Sequence, residues 1–147
     1  MNDQPIKKDI TLPIDAELLV PHRRPVCMID RLIEYRDESC VVEALIHSGD
    51  LLVDEDGVLD RVAYMELIAQ AFAAFKGYHE TLHEKPVKKG FLVVVKHMEC
   101  KGEAFLGDLL RINVSTVSEV GGFAVAEGTV TRGDEVLASG GMTLWIP

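Results

Sequence analysis

The sequence has 147 residues, a length typical of one domain with one hydrophobic core. Its 24 acidic and 15 basic residues give a net charge of −9, which makes a nucleic acid an unexpected partner. The first residues lack the apolar core of a signal peptide, and no later stretch is long enough to span a membrane. Cys27, Cys40 and Cys100 are odd in number and lack C-x-x-C spacing, which favours free thiols over disulfides or zinc ligands. We therefore expect a cytoplasmic globular protein.

The N-terminal part of the chain divides into a polar segment and the start of a domain. Residues 1–13 are polar and predict a flexible segment, and residues 14–147 predict a single domain. Within that domain, residues 14–20 predict a short helix that begins near Asp15 and is stopped by Pro21.

A hairpin is predicted next. Residues 26–36 and 39–49 are rich in β-forming side chains, and the short polar stretch Asp37–Glu38 separates them. An acidic stretch follows and ends in the turn signal Asp56-Gly57. Asp60 is then placed to cap a following helix.

That helix is the central element of the prediction. Residues 62–76 contain no Gly or Pro and favour helix, so we expect one long helix over about residues 60–78, ended near Gly77. Its apolar side chains point all round the axis, which predicts burial on every side. Only Glu66 and Gln70 interrupt the apolar surface, and their i, i+4 spacing places them one turn apart. A carboxylate in such a helix is costly unless it is paired or functional.

Strand patterns follow the helix. Residues 88–102 predict one strand, and residues 103–122 predict a second with a break at Gly107-Asp108. The remaining residues predict two strands joined by a turn at Arg132-Gly133-Asp134. The whole pattern predicts an α+β fold, in which an antiparallel sheet of about six strands is wrapped round one helix.

Three segments, in this order, resemble one family. Residues 21–25 (PHRRP), followed by Ile29-Asp30-Arg31, resemble the L-P-H-R-x-P and V-D-R segment of the 3-hydroxyacyl-[acyl-carrier-protein] dehydratases. Residues 65–70 (MELIAQ) resemble that family's helix motif L-E-A-M-A-Q, and residues 105–108 (FLGD) resemble its P-G-D turn. The resemblance implies a hotdog fold across nearly the whole chain.

One segment departs from the family pattern. The family has G-H-F-P-G-x-P and P-G-V just before the helix, which supply the catalytic histidine and a backbone oxyanion donor. Residues 50–65 (DLLVDEDGVLDRVAYM) contain neither motif and no histidine. In this respect the chain is most similar to the dehydratase-like hotdog proteins of arylpolyene-type clusters, where two unlike hotdog proteins are encoded together. The resemblance therefore implies a homo- or hetero-oligomer, with a second hotdog protein as the expected source of the histidine.

Dehydration of a 3-hydroxyacyl thioester needs a base for the α-proton and an acid for the departing hydroxyl. The resemblance implies that Glu66 is catalytic and that Gln70 holds its carboxyl group. The alternatives are a structural Glu66 paired with a core arginine or lysine, and a Gln70 on the helix surface. His22 and His47 are secondary catalytic candidates. His22 occupies a position that is generally structural in the family, and His47 ends a predicted strand.

The remaining histidines predict no metal site. His79 and His83 have the i, i+4 spacing that suits a metal on a helix, but Gly77 is expected to end the helix first, which predicts an exposed pair. His97 is expected to face solvent from a strand. Since the sequence has no Walker A, dinucleotide, G-x-S-x-G or H-E-x-x-H motif, no cofactor is expected.

Basic residues are concentrated in two places despite the acidic net charge. A local basic patch can steer an acidic partner, so we expect docking of an acyl carrier protein at these residues: Arg23, Arg24, Lys85, Lys88 and Lys89. The alternative is a solvated strand edge protected by lysines.

Three functions remain open at this point. The first is a hotdog subunit that contributes Glu66 to a 3-hydroxyacyl-[acyl-carrier-protein] dehydratase of fatty-acid or polyene type biosynthesis, active either alone or only as a heteromer. The second is a hotdog acyl thioesterase, in which Glu66 would activate water. The third is a catalytically silent scaffold subunit of a hotdog oligomer.

Overall fold

The computed structural model describes residues 10–86 and 90–147, so most of the predicted flexible segment lies outside the described residues. The elements in chain order are β1 (Ile14–Asp15), a 3₁₀ helix (Ala16–Leu18), β2 (Arg31–Tyr35), β3 (Ser39–Leu45), α1 (Val62–Leu82), β4 (Phe91–Cys100), β5 (Leu109–Val120), β6 (Phe123–Arg132) and β7 (Glu135–Trp145). No helix among these residues is long and apolar enough to cross a membrane.

The strands form one antiparallel sheet in the order β1-β2-β3-β5-β6-β7-β4. It has seven strands instead of about six, because the two-residue β1 adds to the edge of β2. The hairpin turns predicted at Asp37–Glu38 and Gly133-Asp134 join β2 to β3 and β6 to β7. The Asp15 carboxylate caps the short helix predicted after it, by accepting the Glu17 N–H at 3.1 Å.

The strands beneath the helix alternate between buried and more exposed side chains. This pattern is clearest in β3, β5 and β6, and it is typical of an antiparallel sheet with one face packed on the core. Val42, Ile112 and Val130 pair in register across these three strands, and each is 0% exposed. The periodicity therefore places the core between the sheet and α1.

Helix α1 begins after Asp60, whose carboxylate accepts the Val62 N–H at 2.9 Å. The prediction that the helix ends near Gly77 is wrong, because α1 continues to Leu82. Gly77 is buried, and a Cβ atom there would lie 2.0 Å from the Leu19 carbonyl oxygen. The glycine therefore permits a close approach of two backbones inside the helix.

The helix is enclosed on most of its circumference. Tyr64 and Phe72 are at most 1% exposed, while one lengthwise stripe is only half-buried in the single chain; it consists of Met65, Glu66, Ala69, Ala73 and Lys76. One long helix packed on a seven-stranded antiparallel sheet confirms the predicted hotdog fold.

Strand β4 forms the far edge of the sheet and has an unusual surface. Among the described strands it pairs with β7 alone, and its consecutive apolar residues Phe91, Leu92, Val93 and Val94 are 38% to 53% exposed. A continuous apolar run normally indicates a strand that is covered on both faces. Within residues 10–86 and 90–147, no further strand extends the sheet beyond β4.

Candidate active site

The Gln70 side chain connects the helix to the segment that precedes β2. Gln70 is 1% exposed, and its Oε1 accepts the Met28 N–H at 2.7 Å. Its Nε2 donates to the Val26 carbonyl oxygen and to Oε1 of Glu66, both at 2.8 Å. Since a backbone N–H can only donate and a carbonyl can only accept, these partners fix the orientation of the amide. Both amide protons are used, and one of them holds the Glu66 carboxyl group.

This arrangement follows from the local sequence. The i, i+4 spacing puts Glu66 and Gln70 on one side of α1, and residues 26–28, which begin at the end of a turn, contact that side. The Val26 carbonyl oxygen and the Met28 N–H both bind the Gln70 amide. The predicted pairing of Gln70 with Glu66 is present, and a surface position for Gln70 is excluded by its burial.

Glu66 is half-buried and lines a groove of about 200 Å³. It is therefore more exposed than we predicted from a helix whose apolar side chains point all round the axis. The polar lining residues are His22, Glu66, Gln70 and Lys76; the others are Leu19, Pro21, Ala69, Phe72, Ala73, Gly90, Leu92, Leu144 and Ile146. Within residues 10–86 and 90–147, no lysine or arginine forms an ion pair with Glu66. The described contacts therefore do not support a structural Glu66 that neutralises a core cation.

The structure separates the two candidate histidines. His22 lines the same groove as Glu66, and its Nδ1 is buried with no hydrogen-bond partner among the described residues. His47 is not part of the described groove lining; its Nε2 lies 3.7 Å from Oδ1 of Asp30. Within one chain, His22 therefore shares the groove with Glu66, and His47 does not.

The predicted docking arginines are held by local contacts. Arg24 forms an ion pair with Asp30, and Arg23 donates to the carbonyl oxygens of Val20 at 2.9 Å and His22 at 2.8 Å. Arg23 thus stabilises the loop that forms one wall of the groove. Lys85 is exposed, whereas the predictions for Lys88 and Lys89 concern residues outside the described part of the chain.

The expectation of an exposed histidine pair is wrong for His79. Because α1 continues past Gly77, His79 lies in the helix, half-buried, with its Nδ1 2.7 Å from the Tyr35 hydroxyl. Burial raises the pKa of Tyr35. His83 stacks on His79 with ring centroids 4.3 Å apart. The described residues contain no group of three or more His, Cys, Asp or Glu side chains that could hold a metal ion.

The cysteines and the Phe105–Asp108 turn have structural surroundings. Burial raises the pKa of the Cys27 and Cys40 thiols, which disfavours a thiolate nucleophile. In the turn, Oδ2 of Asp108 accepts the Phe105 N–H at 2.8 Å and a hydrogen bond from Arg132 at 2.7 Å. The turn resembling P-G-D therefore anchors the start of β5.

Sequence reasoning missed Lys76 as a groove residue. Lys76 lines the groove one turn beyond Ala73. Its position could have been predicted, because residues 66, 69, 73 and 76 are spaced by three or four and therefore share one face of the helix. A wider hollow of about 680 Å³ lies over the strands and is lined by residues such as His97, Asn113 and Thr129, but not by Glu66 or Gln70.

The family model of the ApeP-like proteins, described as ApeP dehydratase, matches residues 14–147. The chain belongs to the ApeP-like dehydratase family. It is therefore a dehydratase-like hotdog protein. No curated protein sequence gives a significant match.

Solved structures share the fold at low sequence identity. The dehydratase heterocomplex ApeI:P from Xenorhabdus doucetiae matches with a TM-score of 0.85 and 22% identity, over 93% of this chain and 92% of that chain. The smu.793 protein from Streptococcus mutans bound to acetyl CoA matches with a TM-score of 0.64 and 14% identity, over 81% and 88% of the two chains. A hypothetical thioesterase with coenzyme A from Streptococcus pneumoniae matches with a TM-score of 0.62 and 15% identity, over 78% and 86%.

Proposed function

We propose that this chain is the carboxyl-bearing subunit of a two-protein dehydratase that acts on 3-hydroxyacyl thioesters of acyl carrier protein. The observation that supports this most directly is the Glu66 carboxyl group, held by buried Gln70 at the mouth of a mostly apolar groove. The segment before the helix, residues 50–61, has no histidine. A homodimer would bring together two carboxyl groups without the imidazole that the family places in that segment.

The edge strand β4 is the surface proposed for the partner, a second hotdog protein. Its exposed apolar run, Phe91 to Val94, can be covered by a strand that extends the sheet. The same edge borders the groove, because Leu92 is one of the lining residues. A partner bound there can place a histidine opposite Glu66. The heterocomplex reported for a dehydratase of similar fold supports an assembly of two different proteins.

In the proposed reaction, the partner's imidazole removes the proton from the α-carbon of the 3-hydroxyacyl thioester. The electrons of that C–H bond form the double bond between the α- and β-carbons, and the C–O bond to the β-hydroxyl breaks. Glu66 acts as the acid: its carboxyl group gives a proton to the departing oxygen and becomes a carboxylate, so water and an enoyl thioester are formed. Gln70 binds Oε1 of Glu66, which leaves Oε2 to transfer the proton. We propose that the reaction takes place in the cytoplasm.

The test compares this chain alone, its mixture with the second hotdog protein, and the same mixture carrying Glu66→Gln. We expect the chain alone to be inactive and the mixture to release water from a carrier-bound 3-hydroxyacyl thioester. Glu66→Gln should reduce that rate by roughly 10² to 10⁴ without dissociating the complex. Glu84→Gln, at an exposed carboxyl group beyond the helix, is the matched control and should retain full rate. Full activity of the chain alone would contradict the proposal and would point to His22.

Thioester hydrolysis is the second candidate, because a hypothetical thioesterase protein with coenzyme A shares the fold. Glu66 would then activate water, and the products would be a free acid and a free thiol. Measuring thiol release in the same mixtures separates the two reactions. A scaffold role predicts that Glu66→Gln has no effect on either rate.

A further inference from the structure

The half-buried stripe of α1 forms a path along the helix that starts at the proposed acid. Ala69, Ala73 and Lys76 follow Glu66 on the same face and line the same groove. At 1.5 Å per residue, Lys76 lies about 15 Å along the helix axis from Glu66. The alanines leave a slot between these two residues, whose other apolar walls are Phe72, Leu92, Leu144 and Ile146.

Lys76 lies at the boundary between this slot and a second hollow. The second hollow has a volume of about 130 Å³ and is lined by Lys76, Glu80, Glu119, Gly122 and Ile146. Two residues, Lys76 and Ile146, belong to both linings. The two spaces are therefore adjacent, and the Lys76 side chain lies between them.

The Lys76 ammonium is fixed in this position. The side chain is 18% exposed, and its Nζ lies 2.6 Å from Oε1 of Glu119 and 5.9 Å from the centre of the Phe72 ring. Glu80, one turn further along α1, has an Oε2 that is buried without a partner among the described residues, so a second carboxylate oxygen is present at this end. An ammonium group in a largely apolar slot is costly without a partner. An apolar chain that extends past Lys76 would have to displace the ammonium from Glu119.

We infer that Lys76, anchored by Glu119, closes the acyl groove and sets the longest acyl chain that the groove accepts. The inference rests on the proposed function, because that function places the thioester at Glu66 and directs the acyl chain along the stripe. The accepted substrates are then 3-hydroxyacyl thioesters whose apolar chains end before Lys76. Lys76 therefore determines specificity for acyl chain length and takes no part in the proton transfers.

The experiment measures binding of unreactive acyl-pantetheine amides of increasing chain length by calorimetry, with the full chain alone and in its complex. Each buried CH₂ group should raise the affinity roughly fourfold. In the wild type, this rise should stop at the chain length that reaches Lys76. In Lys76→Ala the rise should continue to longer chains. Lys101→Ala removes a lysine that is 58% exposed and 3.9 Å from Glu99, outside the groove, and should leave the limit unchanged.

Glu119→Ala provides a second variant at a half-exposed strand position, where misfolding is a smaller risk. Without its anchor, the Lys76 side chain can turn toward solvent, and the limit should again move to longer chains. An unchanged limit in both variants, a wild type without a limit, or no binding of any amide would overturn the inference. Because the amides cannot lose water, this result is independent of the dehydration assay. A failed dehydration assay with a shifted length limit would reject the reaction and keep the role of Lys76.

Discussion

The amide of Gln70 links the Glu66 carboxyl group to the backbone of Val26 and Met28 through three hydrogen bonds of 2.7 to 2.8 Å. The side chain that orients the proposed acid therefore also holds the segment before β2 against α1. Because Gln70 is 1% exposed, its amide is shielded from water and depends on these protein partners. The stability of the fold and the orientation of Glu66 therefore both depend on the Gln70 side chain.

Gln70→Leu should therefore reduce both stability and rate. The substitution removes the part-buried hydrogen bonds to the Met28 N–H and the Val26 carbonyl oxygen, each of which contributes about 0.5–1.5 kcal/mol. The free energy of unfolding, measured in urea, should fall accordingly. Dehydration should also slow, because Glu66 loses the hydrogen bond to its Oε1.

Glu66→Gln serves as the control for this prediction, because it leaves both backbone contacts of Gln70 intact. It should reduce the dehydration rate by roughly 10² to 10⁴ with little change in unfolding free energy. Equal stability of Gln70→Leu and the wild type would show that the three hydrogen bonds contribute nothing net.

Local patterns predicted much of the fold correctly. The alternation in β3, β5 and β6 and the two hairpin turns are local features, and a sequence records them directly. The pairing of Glu66 with Gln70 was also predictable, because a spacing of four residues places side chains together on any helix.

Contacts distant in sequence were not predictable. Gly77 was predicted to end the helix because glycine is a poor helix former. Its actual role is to leave room for the Leu19 carbonyl oxygen, which approaches α1 from a segment distant in sequence. The position of His79 changed with it, since the longer helix brings that ring to the Tyr35 hydroxyl. The exposure of Phe91–Val94 depends on β4 being an edge strand, and strand order is a property of the whole sheet.

Val93→Lys should prevent assembly with the second hotdog protein. Val93 is 53% exposed on the edge strand, and lysine on an edge strand disfavours pairing with another strand. The single chain should stay folded, since Val93 is not part of the core. Analytical ultracentrifugation of the mixture should then show separate components.

Val117→Lys is the matched control for the edge. Val117 is 56% exposed on β5, which pairs with β6 and does not form the β4 edge, so assembly should be retained. A complex that forms equally well with Val93→Lys would exclude β4 as the interface.

The buried thiol of Cys40 should make stability fall at alkaline pH. Burial raises its pKa, so between the unfolded and folded values the folded protein holds a proton that the unfolded chain has lost. This stability is fully present below the unfolded thiol pKa of about 8.5 and decreases as the pH rises above it. The decrease from one such group reaches at most about 1.4 kcal/mol per pH unit. Urea unfolding of wild type and Cys40→Ala between pH 7 and pH 10 measures the difference in slope.

Thiol labelling provides an independent check on the same environment. Cys100 is exposed and should react rapidly with a maleimide in the native protein, whereas Cys27 and Cys40 should react only after unfolding. Rapid labelling of Cys40 at neutral pH, or identical slopes for wild type and Cys40→Ala, would contradict its burial.

The last prediction concerns recognition of the carrier protein. Arg24 forms an ion pair with Asp30, and Arg23 donates hydrogen bonds to backbone carbonyl oxygens, so changing either arginine would also disturb these local contacts. The test therefore reverses the charge of Lys88 and Lys89, the other members of the proposed docking set. Lys88→Glu combined with Lys89→Glu should lower kcat/KM for a carrier-bound substrate while leaving a small pantetheine thioester unaffected. The loss should shrink as salt is added, because screening weakens attraction between exposed charges.

The double variant Lys96→Glu and Lys101→Glu makes the same change in net charge at two exposed lysines outside the proposed set. If it slows the carrier-bound substrate equally, the effect belongs to net charge and the docking site is rejected. Equal losses on carrier-bound and small substrates would instead place the lysines' effect on the active site.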